Sequence, residues 1–185
     1  MLAAIALLAL PAPALAQTGG TGTANTTGGD GDTSMSSGGG TGVAPTAPGA
    51  TAELLPNGDA VAPASAPKAV QKAIAAANRI NHLPYKYGGG HQSWKLDSGY
   101  DCSGSVSYML HGAKKRILRS PLPSGPLAKW GEAGEGEWIT VYANAGHVYA
   151  VVAGLRWDTS GGKGPRWHED PRSSKGFTAR HWHGL

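Results

Sequence analysis

Hydrophobic positions recur along this chain with two different periods, and the switch between them orders its elements. From Pro67 to Asn81 nearly every residue is a strong helix former, and Val70, Ile74 and Ala77 fall at i, i+4, i+7. That spacing predicts an amphipathic helix covering a core. Pro84 stops it, and Gly88-Gly89-Gly90 opens a loop running to Tyr100. The helical period returns after Asp101, with Val106, Met109, Leu110 and Ala113 on one face and Gly112 near the end, so Cys102 stands at a helix N-terminus. Residues 119–136, rich in Pro and Gly, read as a long surface loop bordering a cleft. Beyond Gly136 the period drops to that of strands: Trp138 to Tyr142, His147 to Val152 and Leu155 to Thr159, punctuated by Asn144-Ala145-Gly146 and Ala153-Gly154. From Gly161 onward irregular structure is expected, with a last short strand between Phe177 and Leu185. Helix, loop, helix, then antiparallel sheet is an α+β order.

Composition sharpens the boundaries. Residues 17–67 are dominated by Gly, Thr, Ser, Ala and Pro and hold no aromatic side chain, so the segment is expected to be a disordered tether. Every Trp, Tyr and Phe follows it, which places the folded domain at 68–185. Leu2 to Leu10 is an apolar run too short for an ordinary membrane span, and Ala14-Leu15-Ala16 fits a small-x-small cleavage site. Residues 1–16 therefore read as a secretory signal peptide, with an uncleaved N-terminal anchor as the alternative. All 16 Lys and Arg lie at or after Lys68 with eight of the 12 acids, a balance of +8 with His neutral. Such a domain suits an anionic partner: nucleic acid, a membrane surface or an anionic cell-wall polymer. Export to the periplasm or cell wall argues against nucleic acid.

An exported chain with one Cys forms no internal disulfide and leaves a free thiol where thiols tend to be oxidised. Cys102 has a chemical reason to be there. A helix N-terminus favours negative charge, so it suits a thiolate nucleophile, and the same N–H groups can donate to an oxyanion forming on an attacked carbonyl. Such a nucleophile needs a base. Among seven histidines, His147 is the one that begins a strand, where its ring is held stiffly. Asp158 is the candidate to orient it. A two-residue hairpin at Val152-Ala153 or Ala153-Gly154 brings Asp158 opposite or diagonal to His147 on one face, whereas a three-residue turn puts it on the other. The alternative is that Asp158 only caps a turn with Thr159 and Ser160. His181 and His183 lack a matched Cys, Asp or Glu pair, so neither a metal nor a cofactor is expected.

The stretches Pro84 to Gly90 ("PYKYGGG"), Gly99 to Leu110 ("GYDCSGSVSYML") and Ala145 to Gly154 ("AGHVYAVVAG") together resemble the NlpC-type family of cell-wall cysteine peptidases. The resemblance covers about Leu83 to Ser160. It implies a papain-like fold, with the helix bearing the nucleophilic Cys packed on a small antiparallel sheet. It further implies hydrolysis of peptidoglycan stem peptides, typically between D-glutamate and a diamino acid. By the same match Tyr85 sits by the oxyanion hole, while Asp101 and Ser103 contact the stem peptide, Asp101 taking its free amine. The family's third residue is most often a His on the strand after the base, where this chain offers Asp158. Two alternatives keep the fold: a non-catalytic wall-binding module, and an amidase or acyltransferase in which an amine replaces water as acceptor.

Overall fold

The computed structural model describes residues 46, 47 and 49–185. The expected signal peptide and the expected tether as far as residue 45 lie outside the described residues. The elements in chain order are β1 (Thr46–Ala47), β2 (Glu53–Leu54), β3 (Ala60–Pro63), α1 (Lys68–Asn78), α2 (Cys102–Ala113), α3 (Ser124–Leu127), β4 (Glu132–Ala133), β5 (Ile139–Ala143), β6 (Val148–Val152), β7 (Leu155–Asp158), β8 (Arg166–His168) and β9 (Thr178–His181). The fold is α+β, with a six-stranded antiparallel sheet in the order β4-β9-β5-β6-β7-β8.

Helix α2 is the centre of this architecture. From Ser103 to Leu110 every residue is buried, so the helix is covered on all sides, as expected of an element packed between layers. One side meets α1, whose Val70, Ala73, Ile74 and Ala77 are buried. A Cβ at Gly112 would collide with that of Ala76, so the two helices approach more closely than any larger residue there would allow. The other side meets β6, and Val106, Met109 and Leu110 share one apolar cluster with Val141, Val148, Val152 and Trp157. Buried hydroxyls on α2 are satisfied. Ser107 donates to the Leu122 carbonyl and accepts the Leu122 N–H, which ties residues 119–123 against the helix.

The boundary placed at 67/68 on composition is corrected by the structure. Strands β2 and β3 pair with each other, and β3 packs on α1 with Ala60, Ala62 and Ala66 buried. The Asn78 amide accepts the Ala60 N–H at 3.0 Å and donates to its carbonyl at 2.8 Å, while Asn81 donates to the Gly58 carbonyl. The Ala52 N–H donates to Ala153 on the far hairpin. Alanine-rich strands carry little hydrophobic signal of their own. What orders them is backbone hydrogen bonding to side chains distant in sequence.

The strands expected at 138–159 form as β5, β6 and β7, with His147 one residue ahead of β6. The expected final strand is β9, which lies between β4 and β5. Strand β8 falls in the stretch expected to be irregular. The β6–β7 turn has two residues, Ala153 (φ 46) and Gly154 (φ 87), both left-handed. Two such residues make the primed turn that matches strand twist. Val152 pairs with Leu155, Val151 with Arg156 and Ala150 with Trp157. Continuing this register sets Asp158 opposite Tyr149 and diagonal to His147.

A chain beginning at Lys68 loses the β1–β3 layer and strands the Asn78 and Asn81 amides. At roughly 0.5–1.5 kcal/mol per lost hydrogen bond, plus the exposed apolar face of α1, the loss is a large part of a stability of about 5–15 kcal/mol. Urea unfolding of that chain beside one beginning at Thr46 is expected to show a clearly lower midpoint for the shorter one; equal midpoints would show the layer to be dispensable.

Candidate active site

Three segments distant in sequence meet at the N-terminus of α2. Asp101 is the N-cap, its Oδ1 accepting the Gly104 N–H at 2.7 Å, and Cys102 is the first helical residue, half-buried. The triglycine loop lies directly on this end. A Cβ on Gly89 would strike the Gly99 carbonyl, and one on Gly104 would strike the Gly89 carbonyl, so loop and helix touch backbone to backbone. The Asp97 carboxylate accepts the Gly90 N–H and holds the loop there.

His147 is set from the sheet side. The Asn144 side chain accepts the N–H groups of Gly146 and His147, fixing the turn that delivers the imidazole. Its Nε2–H donates to Asp158 Oδ1 at 2.9 Å, with Ser160 Oγ 3.3 Å from the same nitrogen. Nε2 being so engaged, Nδ1 is the nitrogen left for the thiol. The Asp158 hydrogen bond, then the neighbouring Cys102, raises the His147 pKa to about 9 against the opposing effect of burial.

Asp158 lies behind the imidazole with 1% exposure. Burial by itself pushes its pKa up, yet the hydrogen bonds from His147 and the Ser160 N–H, with the nearby charge of Arg172, hold it down to about 2. Its Oδ2 accepts from Arg156 Nη1 at 3.0 Å and Arg172 Nη1 at 2.9 Å. Arg156 is anchored in turn by the Asp170 carbonyl and carboxylate. Arg172 lies over the rings of Tyr149 and Phe177, and Phe177 meets His147 edge-on. The segment joining β8 to β9 thus covers the Asp158 face of the sheet.

The thiol opens into a cleft of about 470 Å³ lined by Tyr85, Tyr87, Gly88, His91, Asp101, Cys102, Ser103, Pro123, Ser124, Ala145 and Gly146. All six residues singled out in the sequence converge here: Tyr85, Asp101, Cys102 and Ser103 line the cleft, His147 follows its last wall residue, and Asp158 backs the imidazole. The Tyr85 pKa is raised, by burial first and then by the neighbouring Cys102 and Asp101, so its hydroxyl remains a donor. A larger groove of about 540 Å³, lined among others by Leu54, His82, Lys163 and Trp167, holds no nucleophile and lies apart from the thiol.

Four partners escaped the sequence reading: His91, Ser160, Arg156 and Arg172. Ser160 was within reach, since a two-residue turn at Ala153-Gly154 puts it opposite His147. Arg172 carried no local signal. His181 and His183 both pair with Glu132, at 3.5 and 3.6 Å, and no group of three or more His, Cys, Asp or Glu side chains among the described residues is placed to hold a metal. No helix among the described residues is long and apolar enough to cross a membrane.

No protein-family model matches this sequence, and comparison with curated proteins gives no match. Three solved structures from Mycobacterium tuberculosis are similar. A hypothetical invasion protein is 22% identical with a TM-score of 0.47 over 63% of this chain and 65% of its own. The peptidoglycan hydrolase RipB is 24% identical with a TM-score of 0.46 over 61% and 64%. RipD, described as a non-catalytic NlpC/p60 domain protein adapted to peptidoglycan binding, is 19% identical with a TM-score of 0.45 over 63% and 98%. The chain thus spans about two thirds of the length of the first two.

Proposed function

We propose that this protein is an exported cysteine endopeptidase that hydrolyses peptidoglycan stem peptides, at the bond between D-glutamate and the diamino acid. The observation that carries the reading is the imidazole of His147, hydrogen-bonded to a buried, doubly arginine-braced Asp158 and raised in pKa by the neighbouring Cys102 as well. A His whose pKa is raised to about 9, close to a cysteine at a helix N-terminus, is placed to give a proton to a departing amine. The substrate class comes from the motif resemblance, and the basic domain suits the anionic polymers of a cell wall.

In this reading the Cys102 sulfur attacks the scissile carbonyl carbon. The carbonyl oxygen takes the negative charge, facing N–H groups at the start of α2 and the Tyr85 hydroxyl. His147 gives its proton to the departing amine as the carbon–nitrogen bond breaks, leaving a thioester. Water then attacks the thioester while His147 takes its proton, and the sulfur leaves as thiolate. Asp158 keeps Nε2–H bound and Nδ1 aimed at the thiol throughout. Purified peptidoglycan digested with the wild type, followed by identification of new termini, tests the reading; binding without release would favour a wall-binding module, and transfer to an added amine an acyltransferase.

Three substitutions divide the work. Cys102→Ala is expected to abolish stem-peptide cleavage, and His147→Ala to lower kcat/KM by about 10³-fold or more, since the leaving amine loses its proton donor. Asp158→Asn is expected to cost less, roughly 10–10²-fold, because an unheld imidazole still visits the productive tautomer. A folded His147→Ala protein with wild-type turnover would remove the assignment.

The raised His147 pKa sets the sign of the pH response. Cleavage needs the protonated ring, so kcat/KM should fall as pH rises through about 9. Asp158→Asn removes the largest cause of the shift and moves that limb toward the ordinary His value near 6.5. NMR titration of the His147 ring in both proteins checks this without reference to activity; an unmoved midpoint would mean that Asp158 does not set the imidazole's protonation.

A further inference from the structure

The groove of about 540 Å³ shares a wall segment with the thiol cleft: Leu83 and Pro84 line the one, and Tyr85, the next residue, lines the other. That segment is held from two directions. The Tyr85 N–H donates to the Lys163 carbonyl at 2.6 Å and the Tyr100 N–H to the Pro84 carbonyl at 3.1 Å, while a Cβ on Gly164 would strike the Leu83 carbonyl. The groove is thereby fixed in place relative to the cleft, and its volume lies within the roughly 300–1,000 Å³ of ordinary ligand sites. Its lining includes Lys163, Arg166 and His82 and no Asp or Glu. Asp59, 3.8 Å from His82, is turned to the Asn57 and Asn81 amides and is not part of the wall. Arg166 stands opposite Asp158 in the β7–β8 register, but Asp158 Oδ2 already accepts from Arg156 and Arg172. Among the described residues neither Arg166 nor Lys163 makes an ion pair, and Arg166 Nε reaches the Gly164 carbonyl at 3.4 Å. A Cβ on Gly162 would fall on the Arg166 guanidinium, so the turn before β8 packs against that head and limits its motion.

We infer that this groove docks a polysaccharide carrying carboxylate groups, bound through Arg166 and Lys163 while its sugar rings lie against Leu54, Leu83 and Pro84. The source of such a polymer, an acidic glycan of the cell wall, rests on the wall reading of this protein; the chemistry of the groove does not. Two cations with open donors and no acid in the wall beside them attract an anion. The planar fork of a guanidinium matches a carboxylate through two parallel hydrogen bonds. The three apolar side chains suit the C–H face of a pyranose ring, which loses that face from water on binding. A polyol phosphate offers the same charge without a ring face, and its flexible chain loses more conformational freedom when it is held. Because groove and cleft share one wall segment, a wall polymer seated in the groove keeps neighbouring stem peptides close to the thiol. Docking of this kind raises the effective concentration of scissile bonds without any new contact to the bond that is cut.

The test titrates the full chain calorimetrically with three probes: oligogalacturonate, its neutral methyl ester, and oligomeric glycerol phosphate. Oligogalacturonate should bind on the order of tenfold more tightly than the ester. Arg166→Gln should cost about tenfold of that affinity, and Lys163→Gln, whose head is exposed, roughly two- to fivefold. Lys175→Gln removes one positive charge outside the groove and should leave the affinity unchanged. Thermal melts establish that each variant is folded. Equal binding of acid and ester, tighter binding of the phosphate oligomer, a loss with Lys175→Gln as large as with Arg166→Gln, or binding of no probe would overturn the inference. Turnover is read separately. Lys163→Gln/Arg166→Gln should cleave a short soluble stem peptide as the wild type does and release fragments from intact wall more slowly; equal release from the wall would show that the groove takes no wall glycan. The expected binding pattern with no cleavage by the wild type leaves the docking site standing and defeats the hydrolytic reading.

Discussion

The carboxylate of Asp158 is a charge taken out of water, and much of the chain beyond β6 is arranged around it. Isolated, such a group would cost several kcal/mol. Four donors surround it: His147 Nε2–H, the Ser160 N–H and two guanidinium groups. Arg156 shares its strand face by standing two residues away on β7, as pleating requires. Arg172 comes from the connection between β8 and β9, so that connection has to fold back across the sheet before the charge is satisfied. The rings of Tyr149 and Phe177 then pack against the Arg172 guanidinium.

The two faces of the sheet therefore do different things. Val148, Ala150, Val152 and Trp157 point to the apolar core under α2, while Tyr142, Tyr149, Arg156 and Asp158 alternate onto the opposite face. His147 stands at the end of the sheet, one residue before β6, where its ring reaches both the buried carboxylate and the helix that carries the thiol. A slip of one residue in the β6–β7 register would move Asp158 to the core face, where no arginine waits. The two left-handed residues of the turn prevent that slip.

The thiol is flanked by two carboxylate–imidazole pairs of unlike character. Asp158 is braced by arginines from two segments, and its histidine, engaged with it through Nε2, keeps Nδ1 for the side of Cys102. Asp101 is braced mainly by backbone N–H groups of Gly88 and Gly104 and by the hydroxyl of Ser103, which a helix cap and a glycine loop supply locally. The first pair faces the sulfur, and the second faces the cleft.

What the sequence determined by itself is whatever rests on neighbours in the chain. The periodicity of Val70, Ile74 and Ala77, the Asp101 cap with Cys102 behind it, and the alternation through β5 to β7 follow from side chains within a few residues of one another. Local preference and burial agree there. Even the diagonal placement of Asp158 against His147 followed from turn length, once the turn had two residues. Tertiary structure decided the rest. Residues 52–66 were read as tether because Ala, Pro and Ser carry no periodic signal, and only the Asn78 and Asn81 amides with the face of α1 make them strands. His91 looked like a loop histidine until Gly89 and Gly104, each permitting a backbone contact that a Cβ would forbid, brought its loop onto the start of α2 beside Asp101. Arg172 became part of the site only because a buried charge 14 residues away had an acceptor oxygen that nothing local could fill.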